Sequence, residues 1–528
     1  MPIPEYLLSH HPPGVIAVEA LSTASTILTE EPDEPFLHLR LHGGEVRQTG
    51  QASALLGLKL PAGASGNPEG LYAEWSWDGE TLTVRNDRYG IYPLYWFQHD
   101  GDFGLSPSIP SLIALGAPRD WDDNALAVLL RYESCLGEDT PFRAIRALPP
   151  GATLTWRAGH VTLTSVRPPV PKPFDDSRDE AIDRFIELFR AAIRRRPPPE
   201  TGFAVPLSAG RDSRHILLEL LEADWRPTHC VSARYHPPRP DNDARIAAQL
   251  AALVGIEHVT LEQPRSQLKV LTRHYYQTNY CSTMPAFFLW AVSDYLHGRT
   301  QTVYDGLAGD VLSAGHCLTP ERLALYEAGR FEDLAALHLG PQWDGVLRTT
   351  VPPVFCRRWS RDRAIAHFAR GLQRHTEAPN PVGAFALFNR TRRNTALQPC
   401  RIFNRFPRVY CPYLDHALYD LLASLPASML LDHTFHTDAI RRAYPRYAAH
   451  PFTEHNESPL HDHTHYRRFL REVSGEVLAH PRSRLLRHST ILPRLARCAV
   501  DRGYLGSVDW IGQRVAYLLG FEALTDSG

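Results

Sequence analysis

The segment RPPVPKPFDD, from Arg167 to Asp176, constrains the chain more than any other. Its prolines at 168, 169, 171 and 173 lack backbone donors and fix φ, so it can neither continue a helix nor lie inside a sheet. It reads as a semi-rigid spacer. A chain of 528 residues is too long for one compact core, and such a spacer is a natural domain boundary. The sequence therefore divides into residues 1–165, a linker over 166–178, and residues 179–528.

The two parts differ in texture. Between Leu71 and Trp96 the short runs AEWSWDG, ETLTVRNDRYG and IYPLYWF, separated by turn residues, predict a β-meander, and GATLTWRAGHVTLTSV adds a second β-rich stretch. The aromatic residues of WSWDG and YPLYW fit strand faces and are expected in the core or at an interface. After the linker, FAVPL, THCVSA, EHVTL and QTVYDGL alternate with DSRHILLELLEA and DARIAAQLAALVG, whose apolar residues recur every three or four positions. That alternation predicts an α/β domain with a parallel sheet covered on both faces, binding its ligand at the carboxyl ends of the strands. Beyond Gly315 the pattern is mainly helical. HDHTHYRR has no helical His-x-x-x-His pair backed by acidic ligands and is expected to be a solvated loop, not a metal site.

Composition excludes several classes. A formal net charge of -2 leaves no electrostatic footprint for nucleic acid or an anionic membrane. The start MPIPEYLLSHHPPGVIAVEA lacks the pattern of a secretory signal, and no later stretch is apolar enough to span a bilayer, so a cytoplasmic location is expected. Eight cysteines without a C-x-x-C pair predict reduced, structural thiols, and Cys400 and Cys411 receive no role. Of 56 basic residues only Lys59, Lys172 and Lys269 are lysines.

The sharpest chemical feature is VPLSAGRDSRHILLEL. A strand enters Ser208, Ala209, Gly210, Arg211, Asp212 and Ser213 and then a helix. Small residues permit a tight turn, helix-start amides can hold pyrophosphate, and Ser208 and Ser213 add hydroxyl donors. Asp212 makes sense beside phosphates when it binds Mg²⁺. The plainer alternative is an acidic residue near a helix N-terminus.

SAGRDS resembles the pyrophosphatase-loop signature S-G-G-x-D-S of the asparagine synthetase family, with Ala209 for the first glycine. In order, RNDRYGIYPLYW resembles R-D-R-x-G-x-x-P-L-Y-Y, DTPFRAIRALPPGATL resembles T-x-x-x-x-I-x-x-L-P-P-G, DGLAGDVLSAGH resembles S-G-E-G-x-D-E-L-F-G-G-Y, and CPYLDHALYDLLASLP resembles the P-F-L-D helix. These segments span roughly residues 70 to 450, and their order makes coincidence improbable. The resemblance implies an amino-terminal Ntn-hydrolase-like αββα sandwich, followed by an α/β pyrophosphatase-loop domain with a helical carboxyl-terminal part. By that likeness ATP and Mg²⁺ are the cofactors. Leu207, Ser208, Ala209, Gly210, Arg211, Asp212, Ser213 and Gly306 surround the phosphates, Val231 touches the adenine, and Asp212 and Asp310 hold the metal. Asp243 falls where the family often has an acidic residue at a helix start, though simple capping explains it equally well.

The sequence departs from the family in three places. Pro2 follows Met1 and the first cysteine is Cys135, so the amino-terminal thiolate that attacks glutamine is absent and the glutaminase is expected to be inactive. That loss is shared by β-lactam synthetases and lasso-peptide cyclases. Leu307 replaces Glu or Tyr and cannot take a proton from an amine. The family's late lysine is missing as well, with TEHNESP in its approximate place; His455 is the candidate to supply its charge, with Arg467 and Arg468 behind it. The expected activity is ATP-dependent amide-bond formation on a peptide or small-molecule carboxylate and amine, foremost intramolecular macrolactam closure. For a ribosomal peptide a leader-binding protein and a protease would be partners. The alternatives are an ammonia-dependent or intermolecular synthetase, a β-lactam-synthetase-like cyclase, and a degenerate scaffold.

Overall fold

A computed structural model describes residues 15–17, 34–62, 66–165, 170–236, 242–286, 288–452 and 462–526. Before the linker, two five-stranded antiparallel sheets face each other. One runs His160–Ser165, Ala152–Arg157, Thr81–Asn86, Pro68–Trp77, Ser53–Ala62; the other runs Glu45–Gly50, Leu37–His42, Asp102–Ser106, Tyr95–His99, Arg146–Ala147. Alternate residues of both, among them Leu39, Trp75, Val84, Phe103 and Trp156, close one interior. Trp75 and Tyr95 are buried as expected.

The meander does not continue as read. Pro68–Trp77 and Thr81–Asn86 pair as a hairpin, but Tyr95–His99 belongs to the opposite sheet. The crossing at 87–94 is made by Asp87, whose carboxylate accepts from the backbone N–H groups of Tyr89, Ile91 and Tyr92 at 2.9–3.1 Å. Gly90 (φ 60°) passes so close to Pro150 that a Cβ would lie 2.8 Å from its backbone. Burial pushes the Asp87 carboxyl up to about 6.

Past the linker, Ser177 and Glu180 form a reciprocal capping box that starts the helix Arg178–Arg194. The third sheet is parallel throughout, in the order Val15–Ala17, His258–Glu262, His229–Ala233, Ala204–Pro206, Thr302–Tyr304, Arg408–Tyr410, its edge strand Val15–Ala17 coming from before the linker and so crossing the division expected at 165. The four strands expected from sequence are all present. The order grows one way from Ala204–Pro206 through His229–Ala233 and the other way through Thr302–Tyr304, so the switch point lies between the central strand and Thr302–Tyr304. Helices dominate after Gly315.

HDHTHYRR is not a loop where it is described. Asp462 caps the helix His463–Ala479 by accepting from Thr464 and His465 N–H, and Tyr466, Phe469, Leu470, Val473 and Val477 bury one face of it. His465 is buried and pairs with Gln267 Oε1 at 2.7 Å. The capping aspartate and the apolar spacing outweigh the polar run.

The two parts share an arginine-rich interface. Arg196, 2% exposed, joins Glu69 at 3.0 Å to Asp415 at 2.9 Å. Arg392 donates to Gly90 O at 2.9 Å and Leu148 O at 2.7 Å, and Arg393 donates to Asp139 O at 2.6 Å. Asp415 also caps the helix His416–Ser424. Among the described residues no helix is long and apolar enough to cross a membrane.

Candidate active site

The strand Ala204–Pro206 runs through the turn 207–210 into the helix Arg211–Glu222, whose N-cap residue Gly210 gives no side-chain cap to the first-turn amides. Hydroxyl groups close the turn instead. Ser213 Oγ accepts from Ser208 N at 3.0 Å, and Ser208 Oγ, 3.1 Å from Ser213 Oγ, accepts from Gly210 N at 3.2 Å. Asp243, in the first turn of the helix Asn242–Leu253, reaches the turn instead: Oδ1 accepts from Ala209 N at 2.9 Å and Oδ2 from Tyr235 OH at 3.1 Å.

Asp212 and Asp310, 98 positions apart in the chain, meet directly: Asp212 Oδ2 accepts from Asp310 N at 3.1 Å. Asp212 thereby caps the helix Gly309–Ser313, which its own N-cap residue Ala308 (φ 72°) has no side chain to do. Two glycines make the approach feasible. A Cβ on Gly306 would lie 2.7 Å from Asp212 Cβ, and one on Gly309 would lie 2.6 Å from Asp212 Cγ. Asp310 Oδ1 accepts from Val311 N at 2.8 Å, and His316 Nδ1 lies 3.7 Å from its Oδ2.

Capping accounts for one Asp212 oxygen. The other, Oδ1, is buried without a hydrogen bond, with His436 Nδ1 at 3.4 Å. Burial holds the His436 imidazole well below its ordinary range, so it is neutral and offers Asp212 no cation. Burial, and then the Asp310 carboxylate, push Asp212 well above the usual carboxylate range.

Above these residues, at the carboxyl ends of the strands, lies a cavity of about 640 Å³. Leu207, Val231, Ala233, Phe288, Leu289 and Val292 give it an apolar wall. Asp212, Asp243, Asp305 and Asp310 line the rest, with no Lys, Arg or His among the described lining residues. Asp305 stands directly after Thr302–Tyr304, accepts from Leu307 N at 2.8 Å, and is pushed up to about 6 by burial. Leu307, 4% exposed, also lines the cavity.

Of the residues expected at the site, Leu207, Ser208, Gly210, Asp212, Ser213, Val231, Gly306 and Asp310 line the cavity. Ala209 is fully buried beneath the turn. Arg211 points elsewhere, with Nε donating to Thr437 Oγ1 at 2.7 Å, because its position on the helix faces Thr437 and not the strands. His455 lies outside the described residues. Arg467 and Arg468 sit on the helix His463–Ala479 and do not line the cavity. Sequence reasoning missed Asp305, although a polar residue directly after a parallel strand is a readable signal. It also missed Thr395 and Gln398, which line the cavity from two π-helical runs, Leu387–Thr395 and Gln398–Ile402. Pro399 removes a ladder donor there, and helices wound this way often mark functional sites.

The orphaned Asp212 oxygen and the glycine cradle fit a cation. Among the described residues no group of three or more His, Cys, Asp or Glu is arranged to hold a metal. A divalent ion on Asp212 and Asp310 would complete its shell from ligand oxygens and water, as Mg²⁺ characteristically does.

Comparison with known families addresses the part of the chain before the linker. Residues 42–166 match the glutamine amidotransferase domain family. The match covers most of the two-sheet sandwich and is consistent with the Ntn-type amino-terminal domain of asparagine synthetases. No curated protein matches the chain. In the amidotransferase-like domain Cys135 is fully buried, its N–H donates to Cys281 O at 3.4 Å, and hydrogen bonding to Cys281 together with burial raises its thiol well above the ordinary range. A thiol so placed is no nucleophile.

Proposed function

We propose that this protein is an ATP-dependent, AMP-forming ligase that activates a carboxylate by adenylation and joins it to an amine. The observation that carries the proposal is the contact of Asp212 with Asp310 beside a phosphate-loop-like turn at the switch point of a parallel sheet. Asp212 and Asp310 would hold Mg²⁺, which when bound neutralises phosphate charge and stabilises the leaving pyrophosphate. The remaining roles fall to the chain itself. The uncapped amides that open Arg211–Glu222 and the hydroxyls of Ser208 and Ser213 receive phosphate oxygens. The apolar wall of Leu207, Val231 and Phe288 takes the base. The substrate carboxylate attacks the α-phosphorus, the bond to the β-phosphate breaks, and pyrophosphate leaves; the amine then attacks the acyl carbon, expels AMP and loses a proton. Leu307 cannot accept that proton, so the amine arrives neutral or hands it to water.

An amine on the substrate itself needs no ammonia supply, and ring closure on a peptide or natural-product precursor is the reading we favour, ahead of intermolecular or ammonia-dependent amidation. A degenerate scaffold is the competing reading. Leu307 and the internally bonded amides of Ser208, Ala209 and Gly210 favour it; the buried Asp212 oxygen without a hydrogen bond, beside the Asp310 loop, weighs against it.

The test is substrate-dependent ATP–pyrophosphate exchange. Exchange by wild type, lost in Asp212→Ala and in Asp310→Ala, is the expected result. Wild type that neither binds ATP nor exchanges with any candidate acid would sink the ligase. Product mass separates the enzyme readings: loss of one water from a precursor marks ring closure, and conversion of an acid to a primary amide marks ammonia.

A further inference from the structure

Behind Asp212 lies a chain of buried groups to which adenylation assigns no role. His436, on the helix Phe435–Ala443, is fully buried. Its Nδ1 is 2.9 Å from Ser313 Oγ and 3.4 Å from Asp212 Oδ1. Its Nε2 is 3.1 Å from His215 Nδ1 and 3.4 Å from Tyr413 OH.

The partners dictate the hydrogen positions. Ser313 Oγ donates to Gly309 O at 2.6 Å, so toward His436 it only accepts, and Nδ1 carries the hydrogen. Tyr413 OH donates to Asp212 O at 3.2 Å, so Nε2 takes its hydrogen bond from the N–H of His215 Nδ1. Phe185 meets the His436 ring edge-on at 5.3 Å and Phe189 stacks on His215 at 3.9 Å, which leaves neither imidazole room to swing.

One N–H thus faces both the orphaned oxygen of Asp212 and a serine on the helix that carries Asp310. We propose that His436 is a positioning residue, holding the Asp212 carboxylate and the Asp310 helix at the separation a divalent cation requires, with His215 fixing its tautomer. This rests on the ligase reading. Partners behind metal-binding carboxylates characteristically change metal affinity when removed, because they fix ligand orientation. A histidine that merely filled the core would leave affinity untouched in any variant that folds.

The experiment uses Mn²⁺ as a spectroscopic probe, titrated by electron paramagnetic resonance into the full-length protein with ATP. His436→Asn keeps an N–H near the Nδ1 position, whereas His436→Gln keeps only the Nε2 side. We expect His436→Gln to weaken Mn²⁺ binding by roughly 10–100-fold, the range found when such partners are removed, and His436→Asn to restore most of it. Unchanged affinity in His436→Gln, or equal losses in both variants, overturns the proposal. Should His436→Gln fail to fold, Ser313→Ala, which removes the acceptor that orients Nδ1–H, carries the test: weakened Mn²⁺ binding supports the proposal and unchanged binding overturns it. Wild type that takes up no Mn²⁺ with ATP overturns the ligase reading and this proposal together, whereas normal uptake by wild type and all variants overturns this proposal alone.

Discussion

The interface between the two parts and the cavity of the second part treat charge in opposite ways. At the interface, buried cations are matched: Arg196 bridges Glu69 and Asp415, while Arg392 and Arg393 are held by backbone carbonyls. Arg195 and Arg196 outweigh burial and keep Asp415 below its ordinary range. In the cavity, four carboxylates face one space with no cationic side chain among the described lining residues. Burial pushes Asp212 and Asp305 above the ordinary carboxylate range there, so their ionised forms cost stability that the paired groups of the interface do not. At the interface the chain supplies its own cations to its buried carboxylates.

The largest effect should come from breaking the compensated side. Arg196→Met leaves buried Glu69 without its cation and Asp415 with Arg195 alone, and should cost about 3–5 kcal/mol, read as a lowered midpoint in chemical denaturation. A loss no larger than at an exposed arginine would show that the interface does not depend on this bridge. Next comes the contact between the two acidic loops. Gly309→Ala drives a Cβ into the Asp212 carboxylate, so about 1–3 kcal/mol of stability should be lost, read as a lowered denaturation midpoint, and the proposed ligase activity should fall in parallel.

The uncompensated side should respond with the opposite sign. The folded-state carboxyl of Asp305 titrates at about 6, above its ordinary value of 3.8, so its ionised form works against folding at neutral pH. Asp305→Asn should therefore stabilise the ligand-free protein by about 1–2 kcal/mol above pH 6, a figure reduced for partial solvent access. As pH falls from about 6 towards 4 the wild type gains protons faster in the folded state, and the advantage of the variant disappears. Thermal melts across that range test it, and a difference that grows on acidification would contradict the assignment. The smallest effect is conformational: Ala308 sits at φ 72°, and Ala308→Gly should raise stability by about 1 kcal/mol, visible as a higher melting temperature.

Features that depend on local rules were legible without coordinates. FAVPL, THCVSA, EHVTL and QTVYDGL could be read as strands because β-branched runs bounded by helical periodicity leave few options, and Asp212 and Asp310 could be named from the segments around them. Features set by distant neighbours were not. Nothing around Tyr95 says that its strand crosses to the other sheet; Asp87 decides that by gathering three amides. Asp243 looked like a helix cap because its bond to Ala209 N spans 34 residues, and Arg211 looked like a phosphate ligand until its position on the helix turned it toward Thr437.

By itself the sequence determined the strands and helices of the parallel sheet after the proline-rich segment and the acidic residues on its loops, because periodicity and turn chemistry act over a few residues; that Val15–Ala17, from before that segment, joins the same sheet it did not. Only the tertiary structure decided that Asp212 caps the Asp310 helix, that Gly306 and Gly309 are glycines to admit that carboxylate, and that His436 stands behind it. Those are meetings between groups far apart along the chain, fixed by packing once the sheet has formed, and no local rule encodes them.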